Sequence, residues 1–168
     1  SYFTRVNTIL DTLLRYNNLD RDRVITMGLS SGGYGAIAHM QLYPQRIATC
    51  VAASPQAVGT LAGGIAGSVH IPLWIANGGQ DTGPDPYSTN SFISSFRGAG
   101  GNCYQTYLAD EGHITWSYQW ELVSSGNNNI LSPWWNNAHK AQPLVFYASD
   151  RFCTGGVNAR LGITAGYA

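Results

Sequence analysis

The sequence predicts an α/β protein, a mostly parallel sheet with helices on both faces. Three observations predict it. Short apolar runs of strand length alternate with stretches of helical periodicity, the runs are apolar enough to be buried on both sides, and a glycine-rich turn sits where one such run gives way to a helix.

The elements follow in order. Phe3, Val6, Ile9, Leu10, Leu13 and Leu14 recur at spacings of three and four, which predicts a helix ending near Asn17 and Asn18 and packing on its neighbours through one stripe. Residues 23–29 read as a short buried strand, followed by the turn and by a helix over about 31–43 that Pro44 stops. Further strands are expected at 47–53, 72–76 and 104–108, with a Gly- and Ala-rich loop between the first two and a helix over about 87–97 before the third. After Trp120 the pattern weakens to a polar loop at 124–129, a short amphipathic piece at 130–135 and a possible strand at 144–148.

With 168 residues the chain has the length of one domain, enough to bury roughly two thirds of its unfolded surface. Formal charge balances to zero and the basic residues are scattered, with Lys140 the sole lysine, which argues against nucleic acid or an anionic membrane as a partner. No apolar run reaches the roughly 20 residues needed to cross a bilayer. Charged residues make up only 11% of the chain, and polarity is carried by Asn, Ser, Thr, Gln and Gly, a composition that leads us to expect a secreted protein. The start at Ser1, without a signal peptide, leads us to expect a processed or excised piece of something longer.

The three cysteines match no metal-binding spacing, so no metal site is expected. Cys50, within the apolar run 47–52, reads as a small buried core residue. Cys103 and Cys153 are open to bridging in an oxidising compartment.

Chemistry concentrates at the turn. Met27-Gly28-Leu29-Ser30-Ser31-Gly32-Gly33 contains Gly-x-Ser-x-Gly between a strand and a helix, the setting in which a serine is held on a sharp, exposed corner. Gly28 and Gly32 are the small residues expected to let strand and helix approach. Ser30 is the expected nucleophile, and Ser31, at the helix amino terminus, is expected to aim its N–H at an oxyanion. A serine hydroxyl needs a base and a carboxylate to orient that base. His39 falls inside a helix, His70 just before a strand and His139 in the irregular tail. His113 alone follows a late strand in a small-residue loop, and is the expected base. Asp81, just past the strand at 72–76, is the leading acid, ahead of Asp85. Asp110 and Glu111 lie too close in sequence to His113 to orient it. Tyr34 and Trp116 are candidates for lining an acyl or aryl pocket, or for packing.

Three segments carry a family resemblance: Asp22-Arg23-Val24 leading into Gly28-Leu29-Ser30-Ser31-Gly32-Gly33-Tyr34-Gly35, Pro72-Leu73-Trp74 leading to Gly78 and Asp81, and Gly112-His113 followed by Trp116. Over roughly residues 1–120 the chain resembles the secreted esterase and predicted-peptidase branch of the α/β-hydrolases, and is similar to the polyhydroxybutyrate-depolymerase and feruloyl-esterase groups. The resemblance implies hydrolysis of carboxylic esters through an acyl-enzyme, without a cofactor, by Ser30, Asp81 and His113. It also implies a division into the carboxy-terminal part of a catalytic domain, 1–147, and a tail or the start of a following β module, 148–168.

The sequence departs from the family in two ways. Relatives commonly carry His-Gly where this chain has Asn77-Gly78. The first strands of the fold, and the loop that gives a second oxyanion N–H, have no counterpart here, and a sheet starting at the nucleophile strand exposes an apolar edge. Another segment or chain is therefore expected to supply those strands. The tail from Arg151 to Gly156 resembles the opening of immunoglobulin-like repeats, and Val157, Ala159, Leu161 and Ile163 alternate as a strand does. Besides the esterase, two readings stay open: a non-catalytic structural or adhesive module that keeps the fold, and a peptidase.

Overall fold

The computed structural model describes residues 2–117, 138, 140 and 151–153. Its order is α1 (Tyr2–Tyr16), β1 (Ile25–Leu29), α2 (Ser31–Leu42), β2 (Thr49–Ala53), β3 (Leu73–Gly78), α3 (Pro86–Gly98), β4 (Cys103–Leu108) and β5 (Arg151–Cys153). Short 3₁₀ turns at Pro44–Arg46 and Val58–Gly64 interrupt the connections. The helices and the first four strands lie where the apolar pattern puts them, shifted by one or two residues at their ends. The readings at 124–129, 130–135, 144–148 and 157–163 lie outside the described residues.

The five strands form one sheet in the order β1-β2-β3-β4-β5, every pair parallel. Parallel neighbours need a crossover; α2 supplies it between β1 and β2, and α3 between β3 and β4. The register assigns side chains to faces. Cys50 and Ala52 of β2, Leu73 and Ile75 of β3 and Cys103 of β4 share the face on which α2 packs Ala36, Ile37 and Met40 and α3 packs Phe92, Ile93 and Phe96. Trp74 is fully buried on the other face, edge-on to Tyr104 at 5.0 Å between ring centres and donating its indole N–H to Thr106 Oγ1 at 3.0 Å.

The β1 edge is different. Met27 and Leu29 lie in register with Val51 and Ala53 of β2. Val51 and Ala53 are each 2% exposed, whereas Met27 and Leu29 are each 46% exposed. Burial on that face thus fails at the outermost strand.

One expectation is corrected, and one open possibility is closed. The apolar stripe of α1 splits: Leu14 is buried and Phe3 packs, but Ile9 and Leu13 face outward, 62% and 46% exposed. The helix is seated instead by Phe3, whose ring lies parallel to the His39 imidazole of α2 at 5.7 Å, and by an Asp11–Arg46 ion pair. The possibility closed is a bridge between Cys103 and Cys153. Cys153 stands opposite Leu108, at the far end of β4 from Cys103. Five residues of strand separate the two by roughly 16 Å at ~3.3 Å each, beyond the reach of a disulfide. Three residues of the tail thereby pair with the main sheet, as its outer strand β5.

His39 carries a pH prediction. It is 7% exposed, and burial first, then the charge of Arg46, hold its pKa below the ordinary histidine value. The unfolded chain therefore takes up this proton before the folded one does. The stability His39 gives is present above about pH 6.5 and is lost as pH falls through the lowered folded value. We expect the melting temperature to drop between pH 7 and pH 5, and His39→Phe, which keeps the stack on Phe3, to flatten that part of the curve.

Candidate active site

The loops that leave the carboxyl ends of β1, β3 and β4 carry Ser30, Asp81 and His113, at the edge where groups of a parallel sheet converge. The structure brings these three together.

Ser30 occupies the sharp corner between β1 and α2. Its backbone is at φ 54° and ψ −123°, a conformation seldom adopted by a residue with a side chain. The neighbouring strand holds it there: Ser30 N–H donates to Ala53 O at 2.8 Å, and Ser30 O accepts from Gln56 N–H at 3.1 Å and from Tyr34 N–H at 3.1 Å. A serine ahead of a helix ordinarily caps it through its hydroxyl. Ser30 makes no such bond, and its Oγ lies 2.9 Å from His113 Nε2 instead.

Of the turn glycines, Gly28 is sterically required. A Cβ there would stand 2.2 Å from Gly32 O. Gly32 contributes that carbonyl rather than an absent side chain, since a Cβ on it meets no described atom within 4 Å. The second position that needs to be small is Gly33, where a Cβ would lie 3.1 Å from Pro55. This corrects the symmetric role expected of Gly28 and Gly32. Ser31 opens α2, so its N–H is one of the donors for which the helix has no internal acceptor.

Asp81 is buried, its side chain only 1% exposed. Oδ1 accepts the Gly83 N–H at 2.8 Å, and Oδ2 lies 2.9 Å from His113 Nδ1. Asp85 is placed elsewhere: it caps α3, accepting the N–H groups of Tyr87 and Ser88 at 3.1 Å each. The loops bearing Asp81 and His113 meet through Gly78, where a Cβ would come within 2.1 Å of Gly112 O. Trp116 packs edge-on against the His113 ring, 5.3 Å between centres and 88° between planes. Tyr34 sits half-buried in the first turn of α2.

Because a carboxylate only accepts hydrogen bonds, the contact at Asp81 puts the ring proton of His113 on Nδ1. Nε2 is then left with a lone pair facing the Ser30 hydroxyl. Such an arrangement can withdraw a proton from a serine. His39 lies between α1 and α2 and His70 is exposed, while His139 falls outside the described residues. Cys50 is buried and its thiol is pushed up, by burial first and by Cys103 next, so it stays protonated and inert. Among the described residues no group of three His, Cys, Asp or Glu side chains is placed to hold a metal, and no helix is long and apolar enough to cross a membrane. A cleft of about 370 Å³ opens beside the site, between Pro55–Val58 and the Gly83–Thr89 segment.

Sequence reasoning missed Gly33 and a buried hydroxyl pair, Ser54 and Thr115, whose oxygens are 2.8 Å apart. It also missed an amide cluster in which Gln105 Nε2 donates to Asn77 Oδ1 at 2.8 Å and to Asn90 Oδ1 at 2.6 Å. Only the Ser54-Pro55 dipeptide, a turn former, signals any of these.

No protein-family profile and no curated protein matches the sequence. Solved structures do match in shape. A thermostable esterase superposes with a TM-score of 0.58 at 19% identity, covering 80% of this chain and 33% of that one. SOBER1 from Arabidopsis thaliana gives 0.55 at 19% identity, with 66% and 54% covered. Acylaminoacyl peptidase from Pyrococcus horikoshii gives 0.62 at 12% identity, with 85% and 28% covered. This chain thus spans between roughly a quarter and a half of those proteins. What it shares with them is the architecture: a parallel sheet flanked by helices, in the manner of the α/β-hydrolase fold.

Proposed function

We propose that this chain carries the active centre of a secreted serine hydrolase that cleaves carboxylic esters through an acyl-enzyme. The observation that carries the proposal is the unbroken line from Asp81 Oδ2 to His113 Nδ1 and from His113 Nε2 to Ser30 Oγ, 2.9 Å at each step. In the first half-reaction Ser30 Oγ attacks the acyl carbon while its proton passes to His113 Nε2, and the charged ring is steadied by Asp81. The Ser31 N–H offers a hydrogen bond to the oxyanion as it forms. Collapse expels the alcohol, which takes the proton from Nε2. Water then enters, gives its proton to Nε2, and releases the acid as the proton returns to Ser30. This chemistry needs no cofactor and no metal.

The exposed Met27 and Leu29 at the β1 edge support a second part of the proposal. Another segment of the protein, or a companion chain, adds strands beside β1 and with them a second oxyanion donor. In isolation the 168-residue chain is expected to self-associate in sedimentation experiments; a folded, monodisperse monomer would contradict this. The activity itself is tested with short p-nitrophenyl esters on the protein with β1 covered. Turnover with a burst of p-nitrophenol supports the acyl-enzyme, and a folded protein that turns over none of the panel returns the chain to the non-catalytic reading.

A further inference from the structure

Resting on the hydrolase reading, the geometry points to Ser54 and Thr115 as positioning residues that lock the base loop over the nucleophile. Residues 53–56, at the carboxyl end of β2, touch each of the three parts of the site. Ala53 O takes the Ser30 N–H at 2.8 Å, and Gln56 N–H reaches Ser30 O at 3.1 Å. Ser54 N–H donates to Ala76 O at 2.7 Å, on the strand that leads to Asp81. The Ser54 hydroxyl meets Thr115 Oγ1 at 2.8 Å, and Thr115 N–H in turn donates to His113 O at 2.9 Å.

Both Ser54 and Thr115 are fully buried, at 0% exposure, so neither hydroxyl has water as an alternative partner. Breaking the pair strands a polar group at a cost an exposed bond would not carry. Ser54 also sits at φ 39°, an unfavourable backbone for a residue with a side chain. That conformation aims one residue's N–H at β3 and its hydroxyl at the base loop. Without the hydroxyl pair the described side-chain link between β2 and the His113 loop is gone, while the Asp81 contact remains on the β3 side.

The test compares Thr115→Val, which keeps the shape and loses the hydroxyl, with Thr115→Ser, which keeps the hydroxyl. Ser54→Ala provides a second approach at unchanged backbone strain. Two signals are read in the protein with β1 covered: the rate at which a fluorophosphonate labels Ser30, and the downfield NMR resonance of the His113 Nδ1 proton. We expect Thr115→Val and Ser54→Ala each to slow labelling by about 10- to 100-fold and to broaden that resonance. The double variant should be no worse than either alone, and Thr115→Ser should retain both signals. Labelling of folded Thr115→Val at the wild-type rate, or failure of Thr115→Ser to restore it, would overturn the inference. If the wild type itself resists the probe, the hydrolase reading is lost. The NMR comparison then still decides the positioning claim, since a resonance untouched by Thr115→Val rejects it.

Discussion

Ser30→Ala is expected to lower ester turnover by on the order of 10⁵- to 10⁶-fold, with little change in fold. That loss corresponds to roughly 7–8 kcal/mol of transition-state stabilisation at about 1.4 kcal/mol per decade. The size follows from the geometry. Ser30 Oγ is the one hydroxyl within 2.9 Å of His113 Nε2 among the described contacts, and Ser31, next in the chain, opens α2 as an exposed residue. No described group stands ready to replace the missing oxygen. Steady-state kinetics with a p-nitrophenyl ester check this, and a loss below tenfold would place the nucleophile elsewhere.

The second large effect is expected at Asp81. Asp81→Asn keeps the side chain's shape and allows the amide oxygen to go on accepting the Gly83 N–H, now made at 2.8 Å. Its NH₂ group then faces His113 Nδ1. An amide NH₂ only donates, so Nδ1 must become the acceptor and the ring proton must move to Nε2. That leaves Nε2 facing the Ser30 hydroxyl with a proton instead of a lone pair. A fall of about 10⁴-fold in kcat, with KM nearly unchanged, is the expected result. Asp85→Asn serves as the contrast. Its carboxylate caps α3 through the Tyr87 and Ser88 N–H groups, so it should lower stability slightly and leave kcat within a few fold.

Much of this architecture is legible in the sequence because it rests on periodicity and on residues with few alternatives. Apolar runs such as 72–76 have to be buried strands, a helix has to stop at Pro44, and glycine at position 28 announces a backbone pressed close against it. The convergence of Ser30, Asp81 and His113 could be anticipated because each follows a strand, and parallel strands deliver their carboxyl ends to one edge.

Other features are not encoded in any local pattern. The α1 stripe reads as six apolar positions, but a helix buries only what its neighbours reach, and a stack on His39 was available where cover for Ile9 and Leu13 was not. Glycine at position 32 looks equivalent to Gly28 in sequence, whereas the corner brings Gly33 against Pro55. The Ser54–Thr115 pair joins residues 61 apart in the chain, and two hydroxyl residues at that distance carry no spacing signal. Cys103 and Cys153 looked pairable because the sequence does not reveal strand register.

The central claim about this protein is that His113 chemically activates Ser30. The direct measurement is to treat the protein, with its β1 edge covered, with a fluorophosphonate and to map the adduct by peptide mass spectrometry. A single phosphonyl group on Ser30, lost in His113→Ala, is the predicted result. An adduct on another serine, or none in a folded protein, would contradict it.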